Sequence, residues 1–274
     1  MRTTIGDARR AASAPTVLQR LAMRPLVLCS NDDGIDAPHL EALAVAIEQF
    51  ADVIVVAPER QRSAASHAIT LHKPLRLTER RPKRFALSGT PVDCVYVGML
   101  KLCDRAPAVV VSGVNDGYNL GADVFYSGTV AAAVEGALRG AAGIALSLAP
   151  RSKSWDRAIA FAARVVHAAV GEPMPRGTVL NVNMPGASED YQWTTLGRRV
   201  YKDDVAERHD PRGRPYYWVG GGPTGHDDVP GSDVSAVAHG WNSITPMHLD
   251  LTDRPRAAKP PWTLEGFRVV AGAG

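Results

Sequence analysis

Between residues 25 and 186 the apolar positions follow two alternating patterns. Short, mainly apolar runs at 26–30, 53–57, 108–112, 143–148 and 178–183 have the length and bulk of strands buried on both faces. Between them lie stretches of helical character. These are 38–50, with Leu40, Leu43, Ala44 and Ile47 on one face, then 91–102, a small-residue stretch at 128–139, and 155–170. Asp36 stands where the first helix would take its N-cap. Strands alternating with helices predict an α/β domain, a parallel sheet covered on both faces and joined by right-handed crossovers. Sheets of that kind bind ligands outside the carboxyl ends of their strands. The polar clusters of this chain fall at those ends: Ser30, Asn31, Asp32 and Asp33 after the first strand, the loop 58–70 after the second, and the loop 113–127 after the third.

Beyond about residue 186 the alternation stops. Residues 191–219 carry β-type aromatics around a charged turn at 203–214, the pattern of a long hairpin or arm. Residues 232–239 predict a short helix capped by Ser232 or Asp233, and 241–246 a further strand. The remainder is rich in Pro and Arg and reads as an extended tail. A segment with so few core positions needs a surface to pack on. The organisation expected is therefore an α/β catalytic core at 25–186, with an arm and tail at 187–274 wrapped on the core or on a neighbouring subunit. Residues 1–24 stand apart, with Arg2, Arg9, Arg10, Arg20 and Arg24 against Asp7 and no apolar stretch of a secretory signal. An organellar transit peptide shares that Arg-rich look, but a disordered extension, or a true start at Met23, is the expectation.

Composition narrows the function. No apolar run reaches the roughly 18 residues of a membrane span. A formal net charge of +3, from 31 basic and 28 acidic side chains with no long basic block, gives no reason to expect a nucleic-acid polymer as partner. Cys29, Cys94 and Cys103 are odd in number and lack metal-type spacing, which favours a reducing, cytoplasmic compartment. The chain has no GxxxxGK(S/T), no GxGxxG after the first strand and no GxSxG, which argues against an ATPase, a Rossmann dehydrogenase and a common serine hydrolase.

The adjacent carboxylates Asp32 and Asp33 need a reason, because like charges repel and a buried strand end is a costly place for them. Gly34 supplies the backbone freedom for a tight turn that swings both toward one point. A hard divalent cation, Mg, Mn or Ca, relieves the repulsion; a solvated turn capping the next helix is the competing reading. The neighbouring loops offer neutral oxygens from Ser63 and Ser66, and from Asn115 and Asn119. Ser127, Gly128 and Thr129 open a helix whose free N–H groups and hydroxyls suit an anion, although either hydroxyl could serve only as a cap. A dication beside a helix N-terminus suits hydrolysis of a phosphate ester. Of the nearby histidines, His39 reads as a surface residue of the first helical turn, and His67 as a candidate for proton transfer.

The stretches SNDDG at 30–34, APERQRSAAS at 57–66, SGTPVDCV at 88–95, SGVNDGYNLGADVFYSGTVAAAVEG at 112–136 and SITPMHLDLT at 243–252 resemble the SurE, or survival protein E, family. The resemblance runs from about residue 26 to 252. It implies a Rossmann-like three-layer domain with a mostly parallel sheet, plus a C-terminal β-hairpin arm and extended tail exchanged between the subunits of a homodimer or homotetramer. It also implies a metal-dependent nucleotidase acting on nucleoside 5′- and 3′-monophosphates, in some members also on polyphosphate. Carried over by motif, one divalent cation, Mg or Mn, would be held by Asp32, Asp33, Ser63 and Asn115. Ser127, Gly128 and Thr129 would contact the phosphate, and Asn119 would line the same pocket. Water activated at the cation is the expected nucleophile, and attack by an aspartate is the alternative.

One position departs from the family pattern. Glycine usually follows the metal-binding serine, and here the residue is Ala64. Should that backbone need positive φ, alanine strains the loop by about 1 kcal/mol or more. A nucleotide-binding regulatory protein with weak or lost catalysis is accordingly the second reading. A haloacid-dehalogenase-type phosphatase fits less well, because residues 32–36, DDGID, do not match its DxDx(T/V).

Overall fold

The computed structural model describes residues 23–172, 174–186, 188–200, 205–219, 225–227 and 229–255. Most of the expected N-terminal extension, and the tail beyond residue 255, lie outside them. In chain order the elements are β1 (Leu26–Ser30), α1 (Pro38–Glu48), β2 (Asp52–Pro58), β3 (Leu77–Arg81), β4 (Arg84–Leu87) and α2 (Pro91–Val97). Then come β5 (Val109–Asp116), α3 (Gly128–Leu138), β6 (Ala142–Leu148), α4 (Trp155–Gly171) and β7 (Thr178–Met184). The last part holds β8 (Tyr191–Trp193), β9 (Arg198–Val200), β10 (Val205–His209), β11 (Pro215–Val219), β12 (Gly225–Asp227), α5 (Asp233–Ala238) and β13 (Asn242–His248).

The main sheet runs β3-β4-β2-β1-β5-β6-β7-β13-β8, and its central strands β4, β2, β1, β5, β6 and β7 pair in parallel. This is an α/β fold with a mostly parallel sheet and helices on both sides. Successive side chains of β1 go to opposite faces, so both faces must be apolar. Val27 and Cys29 join Leu40, Leu43 and Ile47 of α1 and Ala158, Ala162 and Val166 of α4. Leu26 and Leu28 join Cys94 and Val95 of α2 and Ala132 of α3.

The small residues of α3 have a positional role. A Cβ at Gly136 would lie 2.4 Å from Val110 Cβ, so the helix sits on β5 closer than a larger residue permits. That approach brings the start of α3 to the carboxyl end of β1. The helix α2 begins with a reciprocal box, in which Thr90 accepts from Asp93 N–H and Asp93 accepts from Thr90 N–H, and with Pro91 in the first turn.

Four details depart from the sequence reading. The N-cap of α1 is Ala37, with no side-chain bond, rather than Asp36; Pro38, fixed in φ and lacking an N–H, is suited to the first helical position without a polar cap. The antiparallel pair β3-β4 was not anticipated, because its outer strand is fully exposed and carries no apolar alternation. The strand β5 runs on to Asp116, so Asn115 and Asp116 belong to the sheet and not to the loop that follows. Tyr191–Trp193 is not part of an arm: as β8 it pairs with β13, which in turn pairs antiparallel with β7. The arm itself is the antiparallel hairpin β10-β11, and Ser232 caps α5 as expected.

Candidate active site

The turn after β1 is closed by its own side chains. Asn31 is 1% exposed; its amide nitrogen donates to Gly34 O and its Oδ1 accepts from Gly34 N–H, both at 3.1 Å. Gly34 has φ of +107°, and a Cβ there would press on the Arg60 backbone at 3.3 Å. Ile35 N–H then donates to Pro58 O at 2.8 Å, which ties the turn to the end of β2. This fixes Asp32 and Asp33 beside one another.

Asp32 is 5% exposed and faces the start of α3. Its Oδ1 accepts from the Thr129 hydroxyl at 2.7 Å. A Cβ at Gly128 would meet Asp32 Cβ at 3.1 Å and Oδ2 at 3.2 Å, so glycine is what lets the helix come this near. Burial pushes the Asp32 carboxyl up from 3.8 to about 6; the Thr129 bond opposes this and the Asp33 charge adds to it. Burial raises Asp33 as well, Asp116 raises it further, and His39 and Gln61 work the other way. Burial is thus the main cost of the pair, and His39 is the cationic group that acts on it.

Asp116 is a participant that sequence reasoning passed over. It lies at the end of β5, and its Oδ1 accepts from Arg151 N–H at 2.9 Å. The one available signal was its place between Asn115 and Gly117 at a strand end. Asn115 itself is half-buried, and its amide nitrogen donates to Gly117 O at 2.8 Å. That leaves Oδ1, the end a hard cation takes, for other use.

The loop 58–70 supplies the remaining expected ligand. Arg62 N–H donates to Asp32 O at 2.7 Å, and Gln61 Nε2 to Asp33 Oδ1 at 3.4 Å. Ser63 follows and is exposed. Ala64 then has φ of +56° and Ser66 of +48°. Each left-handed non-glycine residue costs about 1 kcal/mol or more, so the concern raised by alanine at this position applies to the observed backbone.

At the start of α3, Ser127 accepts from Val130 N–H at 3.1 Å and is the helix cap. Thr129 serves Asp32 rather than capping. The N–H groups of Gly128 and Thr129 precede the first intrahelical bonds, which leaves them for an anion. Asn119 is held from several sides. Its carbonyl accepts from Asn181 and Asn183, its N–H donates to Asn183 Oδ1, and its amide nitrogen is spent on Ser147 Oγ at 2.8 Å. That leaves Oδ1 and the second N–H of the amide for a ligand.

His39 and His67 each have a partner of their own. His39 is half-buried and stacked parallel on Trp155, with its pKa lowered by burial against the pull of Asp116 and Asp33. His67 Nε2 is 3.1 Å from Glu135 Oε2, not on the aspartate pair. Beside the first turn of α3 opens a cavity of about 620 Å³, lined by Ser66, Phe125, Val130, Thr195 and Met247 among others.

Among the described residues no group of three or more His, Cys, Asp or Glu could hold a metal ion. The candidate donors are two carboxylates with a hydroxyl and an amide oxygen, all hard oxygens, and both carboxyls are raised by burial and by a neighbouring carboxylate. That set fits a Mg- or Mn-like cation. No described helix is long and apolar enough to cross a membrane.

The sequence profile described as Survival protein SurE matches residues 27–203. The 5′-nucleotidase SurE of Anaeromyxobacter dehalogenans (strain 2CP-C) is 51% identical over 247 residues, covering 88% of this chain and 97% of its own length. The 5′-nucleotidase SurE of Myxococcus xanthus (strain DK1622) is 48% identical over 248 residues, covering 88% of this chain and 94% of its own. Among solved structures, the SurE protein from Aquifex aeolicus matches with a TM-score of 0.75 and 35% identity, over 85% of this chain and 97% of that one.

Proposed function

The chain belongs to the SurE family, and on that premise we propose that it is a nucleotidase that splits nucleoside 5′- and 3′-monophosphates into nucleoside and phosphate. The supporting observation is the Asp32–Thr129 hydrogen bond, which joins the acidic turn to a helix start within one hydrogen-bond length. Asp32, Asp33, Ser63 and Asn115 would hold one divalent cation, Mg or Mn. When bound, it supplies positive charge against the phosphoryl oxygens and lowers the pKa of nearby water.

The protein's own groups divide the remaining work. The Gly128 and Thr129 N–H groups and the helix dipole receive the phosphoryl oxygens. Thr129 fixes the orientation of the Asp32 carboxylate, and the Asn31–Gly34 bonds hold the turn that presents it. The neighbouring cavity, about 620 Å³ and largely apolar, has room for a nucleoside. Asn119 Oδ1 offers an acceptor for a ribose hydroxyl. Action on polyphosphate, a homodimeric or homotetrameric assembly built on the exposed Tyr217 and Trp218 of the β10-β11 arm, and a cytoplasmic location for a chain whose described cysteines are all free belong to the same proposal.

The test is phosphate release from a panel of nucleoside monophosphates after metal removal and readdition of Mn or Mg. Turnover restored by the metal in the native chain and lost in Asp32→Asn is the expected result; full activity in the variant overturns the assignment. The positive φ of Ala64 keeps the regulatory reading in view. Tight nucleotide binding with no phosphate release under any metal would select it.

A further inference from the structure

The segment carrying Ser63 is fastened on both sides. Upstream, Arg62 N–H donates to Asp32 O at 2.7 Å. Downstream, Ser66 N–H donates to Tyr126 O at 3.2 Å, and its hydroxyl donates to Phe125 O at 2.7 Å. The next residue, His67, lies 3.1 Å from Glu135 Oε2. Glu135 belongs to α3, is 5% exposed and has no part in the proposed chemistry. Its other oxygen accepts from Arg139 Nε at 2.6 Å. Burial works to raise the Glu135 carboxyl, but His67 and Arg139 outweigh it and hold the carboxyl below its usual range. Between the two fastenings stands Ala64 at positive φ, and Ser66, the downstream fastening, is at positive φ as well. A backbone in that region keeps its shape only where the surroundings over-determine it.

Resting on the nucleotidase reading, we propose that Ser66, His67 and Glu135 are positioning residues, a clamp that holds the loop 58–70 to α3 and so sets Ser63 as a ligand of the cation. The argument is one of opposing tendencies. Ala64 prefers negative φ, and its relaxation would carry Ser63 away from the aspartates. The bonds to Phe125, Tyr126 and Glu135 act on the residues just after Ala64 and oppose that movement. Because those partners lie in or just before α3, the clamp refers Ser63 to the same element that holds Asp32 and receives the phosphate.

The coupling between clamp and strain gives a specific test. The full-length metal-free chain is titrated with Mn²⁺ alone by calorimetry, with thermal melts to verify folding. In the double variant Ser66→Ala, His67→Ala, Mn²⁺ binding should weaken about tenfold, the scale seen when groups supporting a metal ligand are lost. Adding Ala64→Gly to that background should recover about threefold, because glycine accepts positive φ without strain. In turnover the double variant should need about tenfold more Mn²⁺ than the native chain to reach half of its own maximal rate. Glu135→Gln should weaken Mn²⁺ binding less than the double variant does, since it keeps an acceptor for His67. Unchanged Mn²⁺ affinity in the double variant, while Asp32→Asn abolishes binding, overturns the clamp and leaves the metal site standing. An affinity loss that Ala64→Gly does not relieve also overturns it. Unchanged binding in Asp32→Asn overturns the metal site and the clamp together.

Discussion

The two halves of the site are built in opposite ways. The acidic half, Asp32 and Asp33, sits on a turn whose difficult backbone position is a glycine, Gly34, and whose side-chain bonds close within four residues. Asp32 is buried and Asp33 half-buried, beside β2, β5 and the start of α3. The neutral half at Ser63 is exposed, and its difficult positions are Ala64 and Ser66, each at positive φ without glycine. The first half carries electrostatic cost, two carboxyls raised by burial; the second carries conformational cost. A cation would relieve the first, and only distant contacts restrain the second. On the proposed reading, binding strength lies with the aspartates and adjustability with the loop.

The largest expected effect comes from the acidic half. Asp32→Asn should reduce phosphate release by about a thousandfold or more, since it removes several kcal/mol of charge stabilisation. The same change should stabilise the metal-free protein. Asp32 has a folded pKa of about 6 against 3.8 for the ordinary group, so the native state holds the proton more tightly than the unfolded chain does. Stability of the metal-free protein should accordingly be full below pH 4 and decline as pH rises to 7, by at most about 3 kcal/mol. Urea unfolding at several pH values reads this slope, and a slope equally steep in Asp32→Asn would show that the burial cost lies elsewhere.

Next in size is Gly128→Ala. The added Cβ would meet Asp32 Cβ at 3.1 Å and Pro91 Cγ at 3.4 Å, so the aspartate or the helix start must give way by a few tenths of an ångström. Turnover should fall by about ten- to a hundredfold, because misplacement of reacting groups is costly even on that scale. The melting temperature should move little by comparison. A variant with native turnover would separate the helix start from the chemistry and would break the contrast between the two halves.

Ser63→Ala should be milder. It removes one neutral oxygen from an exposed loop that leaves both carboxylates in place. Mn²⁺ binding should weaken by about tenfold, and activity should return at high Mn²⁺, as for a site that loses one ligand contribution. Activity lost at every metal concentration would place Ser63 in the reaction itself.

How much of this was legible in the sequence follows the same division. Asp32, Asp33 and the start of α3 could be placed because each depends on local pattern: an apolar run that ends, a glycine that turns, a hydroxyl that opens a helix. The roles within that set were less visible. Thr129 could have been a cap, and only the packing of α3 on β5 turns its hydroxyl to Asp32. Asp116 was missed because its effect on Asp33 is a matter of distance across the sheet, not of spacing along the chain. His67 suggested proton transfer, yet its partner Glu135 lies 68 residues away on another element. Asn119 was placed in the right loop, but Ser147, Asn181 and Asn183 decide which of its atoms remain free.

The smallest expected effect is also the sharpest test of the comparison, because it alters the loop without removing any functional atom. Ala64→Gly leaves Ser63, Ser66 and both aspartates in place and changes only the cost of a φ near +56°. Two terms oppose each other. Glycine relieves about 1 kcal/mol of left-handed strain in the native loop, and it gains freedom in the unfolded chain that offsets part of this. The net change in unfolding free energy should be a stabilisation of about 0.5 kcal/mol. In the metal-bound state the gain should be larger, since the cation holds the loop in the strained shape and glycine removes the cost of that shape. Mn²⁺ binding should tighten by about two- to threefold at 25 °C, matching a few tenths of a kcal/mol. A variant that binds Mn²⁺ more weakly than the native chain would mean that Ala64 stiffens the loop more than it strains it. The conformational cost assigned to the neutral half would then be a form of preorganisation.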